Sequence, residues 1–265
     1  MTKLIEFKNQ NKEVLRGLLD EAKSDLGVIF VHGFERTTVE SKFKNIADAF
    51  REKVNTFRFD FSGCGLSDGK FEDLTTDKLT QELNLAVSAL KSACPKIKKI
   101  NFVAHSFGAC VALKFVANNA SLSGNLVFLG PAFNQKELLR YWFAGAQAKK
   151  EKAEISWQNF RNYFSEEKFQ ADLKIKERLT KEHKLFNDYF IENSTADFQE
   201  EFPKVKDRKI LIIHGDKDDK VSLESNDKLF FGIEIIKVVG GDHDLQKLNM
   251  VEQYLGKAVI FLSEN

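Results

Sequence analysis

VNTFRFDF reads as one strand, and the chain otherwise keeps returning to short, nearly continuous apolar runs: LGVIFV, INFVA, LVFLG and ILII. Each run is too short for a helix and lacks the polar alternation of a strand with one wet face. Such runs read as strands buried on both sides. Buried neighbouring strands of this kind are usually parallel, and parallel strands need long crossovers. The intervening stretches supply them with helical spacing. SKFKNIADAFREK puts Phe43, Ile46, Ala47 and Phe50 on one face, and TTDKLTQELNLAVSALKSAC is amphipathic, with Thr76 or Asp77 as its N-cap and Pro95 just past its end. KLIEF and EVLRGLL open the chain as a hairpin, and FGACVALKFVANN, SLESNDKLFF and LQKLNMVEQYLGKAVIFLS read as further helices, with IEIIKVVGG as the last strand. The expected class is α/β, a mostly parallel sheet flanked by helices.

From about Ala132 to Phe202 the rhythm breaks, with no convincing strand but several helical patterns, in KELLRYWFAGAQAKK, WQNFRNYFSEEKFQADLKIKERL and KLFNDYFIEN. A structureless loop of that length is improbable inside a domain. The expected organisation is one α/β core over residues 1–131 and 203–265, with a helical insertion over 132–202. At 265 residues and 43% hydrophobic, the chain can build one large core.

Composition removes several function classes. Forty basic and 39 acidic residues leave a net charge of +1, which speaks against nucleic-acid or membrane-surface binding. Cys64, Cys94 and Cys110 are odd in number and widely spaced, neither a disulfide framework nor a zinc pattern. MTKLIEFKNQNKEV has no secretory organisation, and the apolar runs are too short to span a bilayer. The expectation is a cytoplasmic monomer or homodimer, needing no metal and no cofactor.

Ser106 stands where the strand INFVA meets the helix FGACVALKF. A serine at such an apex lies above the carboxyl edge of the sheet, where open α/β sheets bind ligands. The turn is sharp, so the residues two before and two after the serine must be small, and they are Ala104 and Gly108. Read alone, this also fits a serine that only caps a helix. Asp216, Asp218 and Asp219 crowd the loop after ILIIHG, and His243 sits in the glycine-rich turn VVGGDHDL.

These segments together resemble the α/β-hydrolase superfamily. VAHSFGAC resembles its nucleophile elbow, G-x-S-x-G, with alanine at the first glycine. The resemblance implies a Ser…Asp…His order. The pattern H-G-x-x-D-x-x-V places the acid at Asp218, and the base falls at His243. It also implies two backbone N–H donors for an oxyanion, at Phe107 after the serine and at Phe34 in the loop VHGFERT. Asp60, Gly63, Gly65 and Ser67 match a D-x-x-G-x-G-x-S segment, expected to be structural. The stretch FDFSGCGLSDGKFED is similar to small bacterial feruloyl or cinnamoyl esterases, whereas AHSFGAC and HGFERT depart from them.

The resemblance implies a serine esterase of the carboxylic-ester hydrolases. It would cleave a small-molecule ester of small or medium acyl length through an acyl-enzyme. A thioesterase or peptidase of the same fold, or a ligand-binding module without turnover, is the alternative. In this superfamily the insertion lies over the serine as a cap. Trp142 and Trp157 are its candidate substrate contacts, beside Tyr141, Phe143, Phe160, Tyr163 and Phe164, which could equally form a core of the insertion. His32 and His214 are expected to brace loops, His105 to pack, and His183 to be solvated.

Overall fold

The computed structural model describes residues 1–229 and 233–264. β1 (Thr2–Lys8) and β2 (Val14–Asp20) form the antiparallel opening hairpin. β3 (Leu26–Val31), α1 (Ser41–Ala49), β4 (Asn55–Phe59), α2 (Thr76–Ala93), β5 (Lys99–His105), α3 (Phe107–Ala117) and β6 (Leu126–Leu129) follow. The insertion carries α4 (Gln135–Lys150), α5 (Glu166–Asp172), β7 (Glu177–Leu179), β8 (Lys184–Phe186) and α6 (Asp188–Asn193). β9 (Ile210–Gly215), β10 (Glu234–Val238) and α7 (Leu248–Ser263) close the chain.

Eight strands form one sheet in the order β1-β2-β4-β3-β5-β6-β9-β10, parallel from β4 to β10. The two-residue period of the central strands feeds two cores. Ile29, Phe102, Ala104 and Phe128 join α2 and α3 on one face. Phe30, Val103 and Leu129 join α1 and α7 on the other. β3 therefore leads into a helix on one face, while its neighbour β5 leads into a helix on the opposite face. The chain diverges there, leaving a crevice above the carboxyl ends of β3 and β5. That crevice receives Phe34 and Ser106.

The structure differs from the sequence reading in three places. The insertion holds a small hairpin, β7 with β8, in the register Glu177↔Phe186 to Leu179↔Lys184. Strands of three residues are too short to show a period. This hairpin is anchored instead by Leu185, fully buried in the main core. The expected helix SLESNDKLFF reduces to a single 3-10 turn, Leu223–Ser225, within the described residues, and its Phe230 and Phe231 lie outside them. A local side-chain bond competes with a helix there, Ser222 Oγ accepting from Glu224 N–H at 3.3 Å, and a long-range one, Asn226 Nδ2 to Pro131 O at 3.1 Å, ties the segment to the start of the insertion. The N-cap of α2 is Thr75, whose hydroxyl accepts from Lys78 N–H at 3.2 Å.

Candidate active site

Ser106 adopts φ 52° and ψ −121° between β5 and α3. That backbone is strained for a residue with a Cβ, and it tips the side chain out of the sheet instead of along it. Its neighbours permit the turn. Ala104, within β5, is fully buried. A Cβ at Gly108 would lie 2.4 Å from the His32 carbonyl oxygen and 2.6 Å from that of Val31, so only glycine lets α3 approach β3 this closely.

The far end of the chain arrives at the same point. Ser106 Oγ lies 2.8 Å from His243 Nε2, and His243 Nδ1 lies 2.8 Å from Asp218 Oδ2. The hydrogen-bond pattern gives His243 the Nδ1–H tautomer, leaving Nε2 to accept a hydrogen bond from the Ser106 hydroxyl. Asp218 is further held by N–H donors from Lys220 at 3.0 Å and Val221 at 2.8 Å, both to Oδ1. Its side chain is 1% exposed, whereas Asp216 and Asp219 are exposed, and Asp216 Oδ1 accepts from Gly240 N–H.

Several histidines brace this arrangement. His105 Nε2 donates to the carbonyl of His243 at 2.9 Å, clamping the backbone of that loop. Its full burial pushes its pKa well below the usual histidine value. His214 Nε2 donates to Val221 O at 2.8 Å, and burial lowers its pKa although Asp218 at 3.4 Å pulls the other way. His32 donates through Nδ1 to Gly33 O at 2.9 Å and accepts from Phe61 N–H at 3.1 Å. Behind it, buried Asp60 takes N–H donors from Thr38 at 2.6 Å and Leu66 at 2.9 Å. A Cβ at Gly65, with φ 51°, would meet Asp60 Oδ2 at 2.2 Å.

A cavity of about 430 Å³ opens over Ser106 and His243. Phe34 and Phe107 line it from the core, and neither backbone N–H donates to a protein acceptor among the described residues. For Phe107 this is the ordinary state of a helix's first turn. The insertion supplies the opposite wall. Tyr189 of α6 packs against the rings of both Phe34 and Phe107, each at 5.2 Å. Trp142 of α4 lines the cavity, with its indole N–H donating to Lys220 O at 2.8 Å.

Trp157 is not brought to the cavity. It packs in a ring cluster with Tyr141 at 5.5 Å and Phe160 at 5.2 Å, against Ala132, Leu138 and Val221. Phe143 and Phe164 likewise pack on Phe169 inside the insertion. His183 is only partly solvated: its side chain is 35% exposed, its ring lies 4.5 Å from that of Phe71, and its Nδ1 lies 3.2 Å from Glu35 Oε1. The sequence reading did not single out Tyr189, Phe190, Leu139 or Arg178, which all line the cavity. Tyr189 and Phe190 lie in KLFNDYFIEN and Leu139 in KELLRYWFAGAQAKK, where helical spacing was the available signal, and that spacing does not tell which face looks inward. Among the described residues no cluster of His, Cys, Asp or Glu could hold a metal ion, and no helix is long and apolar enough to cross a membrane.

A family model described as serine aminopeptidase, S33, matches residues 22–236. The chain belongs to this S33 family of α/β-hydrolases. The match takes in Ser106 and Asp218 and stops short of His243. As an S33 hydrolase it shares its fold with solved esterases. Est1E from Butyrivibrio proteoclasticus, with ferulic acid bound, superposes with a TM-score of 0.75 at 22% identity, covering 98% of this chain and 97% of that one. An esterase of Pyrococcus furiosus gives 0.69 at 20% identity, over 99% and 90% of the two chains. Mouse alpha/beta hydrolase domain-containing protein 10 gives 0.68 at 14% identity, over 97% and 96%. No protein with a curated description matches by sequence.

Proposed function

We propose that this S33 hydrolase cleaves uncharged carboxylic esters of small or medium acyl length, with Ser106 as nucleophile, His243 as general base and acid, and Asp218 as the group that orients His243. The observation that carries the reading is the unbroken run of hydrogen bonds from Ser106 Oγ through His243 to the buried carboxylate of Asp218. A hydroxyl is a weak nucleophile at neutral pH and needs a base within hydrogen-bond reach. As Ser106 Oγ bonds to the ester carbon, its proton passes to His243 Nε2, and Asp218 stabilises the imidazolium. The carbonyl oxygen takes up the negative charge against the N–H groups of Phe34 and Phe107, each worth roughly 2.7–4 kcal/mol of transition-state stabilisation. His243 then protonates the departing alcohol, and water attacks the acyl-enzyme by the same route in reverse.

The cavity wall favours an ester over the free amino terminus of a peptide. Arg36, Arg178 and Lys220 line it, and no carboxylate does among the described residues. An ammonium in such a pocket would lack a counter-charge, at a penalty of several kcal/mol. The rings of Phe34, Phe107, Trp142, Tyr189 and Phe190 form much of the wall and suit an aromatic acyl group. Est1E, with ferulic acid bound, shares the fold. Three free, buried cysteines support a reducing, cytoplasmic setting.

The test pairs a fluorophosphonate probe with a panel of p-nitrophenyl esters, acyl thioesters and aminoacyl anilides. The wild type should be labelled at Ser106 and should turn over esters fastest. Ser106→Ala should lose labelling and about 10⁴–10⁶-fold of kcat while melting near the wild-type temperature. Faster cleavage of aminoacyl anilides than of esters would make it a peptidase. A wild type that is never labelled would make it a binding module.

A further inference from the structure

The loop carrying Phe34 is held from several sides. Asp60 grips its far end through Thr38 N–H, and Arg36 pairs with Asp244, beside His243. Between these anchors Glu35 has φ 52°, a left-handed backbone that a residue with a Cβ adopts only when its surroundings hold it there. Its side chain turns away from the core and up into the insertion. The carboxylate takes a hydrogen bond from the Thr180 hydroxyl, the Glu182 N–H at 3.4 Å and His183 Nδ1–H at 3.2 Å. All three donors belong to the connection between β7 and β8. The Thr180 hydroxyl in turn accepts from His183 N–H at 3.0 Å, so the turn is ordered around the carboxylate. His183 lies on Phe71, and Phe71 packs edge-on against Phe34 at 5.1 Å, closing a ring of contacts around the loop.

From this we infer that Glu35 is a positioning residue: it latches the β7–β8 hairpin of the insertion onto the loop of Phe34 and so aims the Phe34 N–H at the developing oxyanion. The inference rests on the ester-hydrolase reading for its chemistry, and on the Glu35 contacts alone for its structure. The Phe34 N–H belongs to the peptide group shared with Gly33, whose carbonyl oxygen accepts from His32 Nδ1–H at 2.9 Å, and the left-handed φ at Glu35 fixes the next peptide group, so the backbone of Phe34 is held on both sides. Without the latch the strained backbone has less to hold it, and the N–H at Phe34 drifts from its aim. Substrate binding in the ring-lined cavity depends much less on that N–H than charge development does. The latch also couples the two parts of the molecule, because the hairpin that closes one wall of the cavity also braces the loop that carries the donor.

The test compares Glu35→Ala, Glu35→Gln and Thr180→Val with the wild type. p-Nitrophenyl butyrate is the substrate, and an alkyl trifluoromethyl ketone mimics the tetrahedral state. In that adduct Ser106 Oγ bonds to the carbonyl carbon, the oxygen takes the electron pair and His243 holds the proton. Glu35→Ala should lower kcat about 10-fold or more with KM within about 2-fold, and weaken the ketone by the same factor as kcat/KM. Butyrate binding should stay within about 2-fold. Glu35→Gln keeps an acceptor oxygen and should recover most of the loss, and Thr180→Val should show a smaller loss of the same kind. Amide hydrogen exchange should rise at residues 34–36 and 180–183 in Glu35→Ala whether or not the protein turns over esters. An inert wild type with that exchange pattern would overturn the ester reading and leave the latch standing. Unchanged exchange, or a kcat loss with unchanged ketone affinity, would overturn the latch. If Glu35→Ala does not fold, Thr180→Val decides by the same readouts.

Discussion

Replacing Asp218 by Asn tests the site at its most sensitive point. The change is nearly isosteric, and the amide oxygen can still accept the N–H groups of Lys220 and Val221, now held at 3.0 and 2.8 Å. The amide nitrogen then faces His243 Nδ1, which lies 2.8 Å from Oδ2 in the native protein. Two donors cannot share that contact, so His243 shifts its proton to Nε2 and presents N–H instead of a lone pair to Ser106 Oγ. The base is lost while the geometry survives. A wrong tautomer in such a triad lowers kcat by about 10⁴, or roughly 5.5 kcal/mol of barrier. One charge-assisted hydrogen bond also goes, at about 1.5–3 kcal/mol of stability, which at about 2–4 °C per kcal/mol is a visible but survivable drop in Tm. The assay is kcat on p-nitrophenyl butyrate with a melt beside it, for Asp218→Asn, Asp216→Asn and Asp219→Asn in parallel. The latter two alter exposed side chains and should stay within about 3-fold of wild type. A crippled Asp216→Asn, or an Asp218→Asn that keeps more than a tenth of the activity, would falsify the assignment.

Trp142→Ala should change the ranking of ester chain lengths by about 1–3 kcal/mol in kcat/KM, because the ring lines the cavity. Trp157→Ala should leave that ranking alone and lower Tm through its ring cluster, at about 0.5–3 kcal/mol. The two buried histidines make the fold acid-sensitive. His105 and His214 have folded pKa values below 6.5, so below that pH the unfolded chain binds more protons, and stability falls as pH drops towards the folded values. Between pH 6.5 and 5 the urea-unfolding free energy should decline by up to about 1.4 kcal/mol per pH unit for each histidine, and His105→Gln should flatten the slope by one such share. An unchanged slope would show that His105 is not held neutral. Gly108→Ala should cost about 1–3 kcal/mol or more in urea unfolding, because its Cβ would sit 2.4 Å from the His32 carbonyl oxygen.

Much of this was legible in the sequence because the demands are local. Continuous apolar runs with helical stretches between them leave a parallel sheet as the main way to bury both, and the order of strands and crossovers follows. Ala104 and Gly108 flank Ser106 in a pattern readable within five positions of the chain, although what excludes a Cβ at Gly108 is the backbone of Val31 and His32 at the end of β3. Ser106 and His243 lie 137 residues apart, and Asp218 and His243 lie 25 apart, yet all three follow strands of one parallel sheet. Parallel strands deliver their carboxyl ends to a single edge, so the motif order already implied the meeting.

The insertion was decided only in three dimensions. Trp142 and Trp157 read alike as candidate substrate contacts or insertion core, and helical spacing gives a face without saying what that face meets. Packing sends Trp142 to the cavity and Trp157 into its own ring cluster. β7 and β8 are three residues each and leave no period to read, because Leu185 in the core, not their own pattern, holds them. His183 was expected to be solvated, and nothing in the sequence marked Glu35. They meet across 148 positions because the hairpin folds down onto the loop of Phe34, and a contact of that range belongs to the packing of the whole molecule and to no stretch of its sequence.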